Sequence, residues 1–137
     1  MIRTENLTKI YKNGFTAVAN LNLNVAQGDI FGYLGPNGAG KTTTIRMLTG
    51  LLKPTEGKVF INNLDVQANT MNVKKIIGVV PESHGYYYWM TSQEYLTYFA
   101  GLFNMDKLKS KEHIKYLLQR VGLGDKMNIP IGQYSRV

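Results

Sequence analysis

Gly35-Pro36-Asn37-Gly38-Ala39-Gly40-Lys41-Thr42-Thr43 meets the pattern G-x-x-x-x-G-K-[ST] at every fixed position. Gly35, Gly38 and Gly40 let the backbone adopt positive φ and approach a phosphate closely, so that a row of amides can donate hydrogen bonds to it. Side chains at these positions would obstruct that approach. A helix starting near Lys41 would leave unpaired amides and the positive end of its dipole facing the β-phosphate, and the anion would then serve as the cap. Lys41 reaches the β- and γ-phosphates, and the Thr42 hydroxyl is placed to coordinate Mg²⁺.

The residues on either side supply the context this motif requires. Ile30-Phe31-Gly32-Tyr33-Leu34 is a short, continuously apolar run of the kind buried on both faces of a sheet. From Lys41 to Leu52 the apolar positions Ile45, Leu48 and Leu52 recur at helical spacing, and Lys53-Pro54 supplies the stop. Further out, apolar alternation in Ile2 to Leu7 and in Val18 to Val25 predicts antiparallel strands around a Lys12-Asn13-Gly14 turn. A turn at Gly57 leads to a strand at Lys58 to Ile61, Asn62-Asn63 predicts another turn, and Ile76 to Val80 predicts a buried strand ended by Pro81. Two helices follow: one from about Gln93 to Phe103 with Leu96, Phe99 and Phe103 on a face, and one with Ile114, Leu117, Leu118 and Val121 in a stripe closed by Gly122. Together these give an α/β domain.

Bulk composition narrows the function classes. A chain of 137 residues with 44% hydrophobic content makes one domain or part of one. With no cysteine it can hold neither a disulfide framework nor a thiolate metal site, and a cytosolic address is expected. No long apolar stretch opens the chain, so membrane contact is expected through a partner. The net charge of +7 suits phosphate ligands, anionic lipid or nucleic acid alike, but no nucleic-acid-binding signature accompanies it. Lys107, Lys109, Lys111, Lys115, Arg120 and Lys126 read as the solvated side of a helix. His84 and His113 lack a second ligand at metal spacing. A guanine-reading N-K-x-D run is absent, since Asn62-Asn63-Leu64-Asp65 lacks the lysine.

Leu7-Thr8-Lys9-Ile10-Tyr11, the stretch from Ala19 to Gly28 and the run GPNGAGKTTTIRMLTGLLKPTEGKVFINNLDV resemble the ATP-binding subunits of ABC transporters. The resemblance covers essentially the whole chain. It implies a P-loop NTPase (RecA-like) core with an amino-terminal antiparallel β subdomain and part of a helical subdomain, divided near residues 92 and 93. ATP and Mg²⁺ are the implied ligands. Read alone, Tyr11 is a strand-edge tyrosine; the resemblance implies that it stacks on adenine, with Val18 touching the same ring. Glu82 stands where the family carries a glutamine that reaches Mg²⁺ and the attacking water, as in the subgroup serving ABC-2-type exporters. A carboxylate can serve a hard cation, but its charge repels the γ-phosphate, so a role in structural coupling stays open. The resemblance implies that the aromatic run His84-Gly85-Tyr86-Tyr87-Tyr88-Trp89-Met90 lies where family members meet the membrane-spanning subunit, with packing inside the domain as the alternative role for these rings.

Gln133-Tyr134-Ser135-Arg136 resembles the opening of the family's signature motif, whose serine contacts the γ-phosphate held by a paired ATPase subunit, as in a homodimer. Val137 takes the place of the glycine expected next, and no apolar strand ending in Asp-Glu occurs in these residues. The expectation is therefore an incomplete cassette: the parent is a transport ATPase on the inner face of a membrane, and these residues alone bind ATP weakly or not at all and do not hydrolyse it. A noncatalytic nucleotide-binding or regulatory module is the alternative, and a translation-type ABC protein a third.

Overall fold

A strand from Ile2 to Ile10 (β1) runs through the middle of a five-stranded antiparallel sheet. Thr16–Leu21 (β2) and Asn24–Val25 (β3) pair with β1 on one side, and Glu56–Ile61 (β4) pairs on the other, followed by Leu64–Asp65 (β5). The computed structural model describes residues 1–80 and 85–134, in two units, Met1–Val80 and Pro81–Val137. The expectations for Glu82, His84 and Ser135 lie outside the described residues.

The alternation expected in β1 is interrupted. Asn6 takes a left-handed φ of 47°, the register with β4 shifts between Glu5 and Thr8, and Thr4 and Leu7 both turn inward although they are three apart. Gly57 fits against this irregularity at φ 80°, where a Cβ would sit 2.4 Å from the Asn6 and Glu5 carbonyl oxygens. Buried Thr4 is satisfied on both sides: its hydroxyl donates to Leu21 O at 2.8 Å and accepts from Leu23 N at 2.8 Å. Asn62 and Asn63, with φ of 46° and 64°, make the β4–β5 hairpin turn, as two left-handed residues in a two-residue loop require.

Lys41–Leu48 (α1) and Thr70–Ile76 (α2) cover one core. Leu7, Val18, Met47, Val59, Ile61, Val66 and Val73 form it. α1 is shorter than expected; Leu48 and Leu52 pack against the core as expected, but Ile45 is exposed and Thr44 and Met47 are buried instead. It ends at Thr49, whose hydroxyl donates to Ile45 O, and Gly50 follows at φ 70°. α2 was not expected. An Asp65 turn introduces it, the carboxylate accepting from Gln67 N and Ala68 N, and Val66 and Val73 anchor it to the core.

The strands expected at Ile30 to Leu34 and Ile76 to Val80 do not form. Ile30 and Leu34 are almost fully exposed, as is Val80. Both runs have the composition of central strands, but a strand is defined by its ladder, and no described segment pairs with either of them.

In the second unit Ser92–Leu102 (α3) packs on Lys107–Arg120 (α4) through Ala100, Ile114 and Leu118, with Leu96, Leu123 and Met127 around them. The stripe is narrower than expected. Phe103 and Val121 are exposed, while Gly122 at φ 73° closes α4 as expected. The lysines and Arg120 of α4 are exposed, which is the solvated side.

Thr91 and Glu94 form a reciprocal capping box at the start of α3. The Thr91 backbone N–H, and then its hydroxyl, donate to the Glu94 carboxylate and hold its pKa below the ordinary glutamate range. Because the folded value is the lower one, this contribution is full above the unfolded pKa and is lost as pH falls through the folded pKa. Helix content followed by circular dichroism is expected to drop on acidification below the glutamate range, and Glu94→Gln to flatten that drop. Superimposable acid profiles would remove the capping box as its cause.

Candidate functional site

Gly40 sets the geometry of the glycine loop. It caps α1 in the left-handed conformation, at φ 80° and ψ 5°, and no side chain caps the first turn. The amides of that turn are thus left for a ligand. A Cβ on Gly40 would lie 2.2 Å from the Ala17 carbonyl oxygen and 3.0 Å from Val18 Cγ2. The loop and β2 therefore approach each other so closely that only glycine fits between them. Gly38 is also left-handed at φ 84°, but a Cβ there would meet nothing within 4 Å.

Lys41 Nζ folds back over the loop and donates to the carbonyls of Gly35 and Pro36, both at 2.6 Å. The ammonium thereby stands at the mouth of the loop. Ala39 N closes a turn onto Pro36 O at 3.2 Å, and exposed Asn37 forms the tip. Among the three consecutive threonines, Thr42 is exposed, Thr43 is half-buried, and Thr44 is buried with Tyr33 Oη 3.4 Å from its hydroxyl. The exposed Thr42 hydroxyl suits a hydrated Mg²⁺, and the uncapped amides, left-handed glycines and lysine suit a phosphate chain.

Tyr11 lies at the end of β1 with its hydroxyl 3.4 Å from Thr43 Oγ1 in the first turn of α1. A sequence-distant aromatic ring thus stands beside the phosphate-type loop. Val18 is buried in the core and abuts Gly40. Sequence reasoning missed three contributors: the Ala17 carbonyl that requires Gly40, Thr43 as the partner of Tyr11, and Phe15 stacked on Tyr11. The positions of the first two depend on how β2 packs on α1, and no local pattern encodes that. Phe15 had a local signal in the Tyr11-to-Phe15 hairpin spacing.

Residues 18–136 match the family model described as ABC transporter. This chain belongs to the ABC transporter family. The bacitracin transport ATP-binding protein of Bacillus licheniformis is 42% identical over 98% of this ABC-family chain, which covers 43% of that relative. The SkfA peptide export ATP-binding protein of Bacillus subtilis is 38% identical over 99% of the chain, which covers 56% of it. The chain thus spans about half the length of these curated relatives. Among solved structures, an ATP-binding cassette captured as a dimer in a post-hydrolysis state with ADP and Pi aligns with a TM-score of 0.80, at 28% identity over 98% of this chain and 63% of that one. The fold of this ABC-family chain is that of part of a P-loop ATPase domain, as its residues imply. Among its described residues, no helix is long and apolar enough to cross a membrane.

The aromatic run lies in the second unit. Tyr87 contacts Trp89, Tyr95 and Tyr98 with ring centroids 5.2 to 6.2 Å apart, and Tyr95 and Tyr98 lean on Phe99. Packing within the domain and an outward face coexist here. Tyr95 and Phe99 are half-buried, whereas Trp89 is 74% exposed.

Proposed function

We propose that this chain holds the triphosphate of ATP with Mg²⁺ on Gly35, Pro36, Asn37, Gly38, Ala39, Gly40, Lys41, Thr42 and Thr43. In the longer protein, hydrolysis of that ATP drives transport through a membrane-spanning partner. The observation that carries the reading is the joint geometry of Gly40 and Lys41: an uncapped helix start beside a left-handed glycine, with an ammonium at the mouth. Lys41 neutralises the far phosphates, Thr42 gives its hydroxyl to the metal, and Tyr11 stacks on the adenine, with Val18 touching the same ring. Glu82 serves the metal or couples to the partner, and Ser135 reaches the nucleotide of a paired ATPase subunit. Export is the favoured direction, supported by the peptide export named for one relative.

By this reading the 137 residues bind nucleotide weakly and do not turn it over. Titrating ATP and Mg²⁺ into the chain while recording two-dimensional NMR spectra tests it: shifts are expected first at the loop amides from Gly35 to Thr43. Shifts confined to other residues at millimolar ATP would defeat the proposal.

The exposed rings of Tyr87 and Trp89 are the anchor for the membrane subunit, because aromatic side chains that are fixed from behind and open in front carry much of the energy of such interfaces. Replacing both with alanine in the longer protein is expected to weaken co-purification of the membrane subunit by at least about tenfold. Undiminished assembly of a folded variant would end this assignment.

A further inference from the structure

Phe15 lies outside the glycine loop, next to the start of β2. Its ring lies nearly parallel to that of Tyr11, with an interplanar angle of 18° and centroids 6.5 Å apart. That distance is near the upper end for a stacked pair, so the two rings do not close fully on each other. The centroid distance sets the upper limit of the gap between the ring planes, so the pair offers two neighbouring aromatic faces to a ligand and not a slot already open to the width of a base.

The hairpin holds this spacing. Tyr11 N donates to Phe15 O at 2.9 Å, Gly14 N donates to Tyr11 O at 2.9 Å, and Phe15 N donates to Asn13 Oδ1 at 3.1 Å. The pair stands at the phosphate loop because the Tyr11 hydroxyl lies beside Thr43. Tyr11 is half-buried while Phe15 is 55% exposed, so one ring is anchored and the other remains open to a ligand. Lys9 Nζ, fixed by donating to Lys53 O at 2.8 Å, lies 5.7 Å from the Tyr11 ring centre and adds positive charge next to the pair.

We infer that Phe15 is a second nucleobase-stacking residue, and that the base of the bound nucleotide contacts both aromatic rings of the β1–β2 hairpin. This rests on the reading of Tyr11 and the glycine loop as the nucleotide site. Stacking uses the flat face of a base and reads no edge groups, so the contribution of Phe15 goes to any nucleoside triphosphate and is absent for a bare phosphate chain.

The test compares ATP with inorganic tripolyphosphate, both with Mg²⁺, titrated into the full 137-residue chain and followed by NMR. Phe15→Ala is expected to weaken ATP by about fivefold to a hundredfold, the range for losing one base-stacking aromatic, and to leave tripolyphosphate unchanged. Phe15→Tyr keeps the ring and is expected to retain wild-type ATP affinity, which guards against a folding artefact. Unchanged ATP affinity in Phe15→Ala, or an equal loss for both ligands, overturns the inference while leaving the phosphate site standing. Failure of the wild-type chain to bind either ligand overturns the inference together with the nucleotide reading beneath it.

Discussion

Gly40→Ala is expected to lower the melting temperature of this chain by at least about 10 °C and to abolish measurable nucleotide binding. Two separate effects act at this position. A left-handed backbone costs an L-residue about 1–2 kcal/mol. The added Cβ also lies 2.2 Å from the Ala17 carbonyl oxygen, a backbone atom that can retreat only if β2 moves off α1. Together they amount to roughly 3 kcal/mol or more, and for a unit of this size each kcal/mol shifts the melting point by about 4–8 °C. Gly38→Ala supplies the control. Its φ is almost the same, but its Cβ would meet nothing within 4 Å, so it carries the conformational cost alone. Thermal denaturation of the two variants side by side isolates the contact with Ala17. Equal melting temperatures would show that the close approach between loop and hairpin has no energetic weight.

Lys41→Ala is expected to act in the opposite way, with a large loss of binding and almost none of stability. Among the described residues the ammonium donates to the Gly35 and Pro36 carbonyls, both of them exposed, so water replaces it on removal. The effect on stability should stay within about 0.5 kcal/mol. A bound phosphate, by contrast, loses a charge-assisted partner contributing about 1.5–3 kcal/mol, or roughly ten- to a hundredfold in affinity. Titrations of wild-type and variant chain at fixed ionic strength provide the comparison. If ATP affinity survives in a variant that is still folded, then the loop is not where the phosphates go. Gly40 and Lys41 are adjacent, yet one variant is expected chiefly to break the architecture and the other chiefly the ligand contact, because a side chain at Gly40 is excluded by packing whereas that of Lys41 folds over the loop onto exposed carbonyls that water can satisfy.

A local conformational requirement written in adjacent residues was legible without the structure. Gly35 to Thr43 could be read as a phosphate loop from spacing alone, because the chemistry needs backbone amides, a lysine and a hydroxyl within one turn of chain. Asn62-Asn63 could be read as a hairpin turn and Gly122 as a helix end, because left-handed φ is a property of single residues. Family membership followed from the same linear pattern, and the comparison with known proteins agrees.

What depended on distant partners was not legible. Ile30 to Leu34 and Ile76 to Val80 have the composition of buried strands, but composition supplies no neighbouring ladder, and neither pairs among the described residues. The burial of Met47 in place of Ile45 follows from how α1 meets the sheet, which helical periodicity cannot supply. The same limit applies to the site. The sequence by itself determined the glycine loop that we propose receives phosphates, since that pattern lies within nine consecutive residues. Only the tertiary structure decided that Ala17 demands Gly40 and that the ring of Tyr11 stands beside Thr43, because pairing of β1 with β2 and packing of β2 on α1 bring together residues 23 and 32 positions apart.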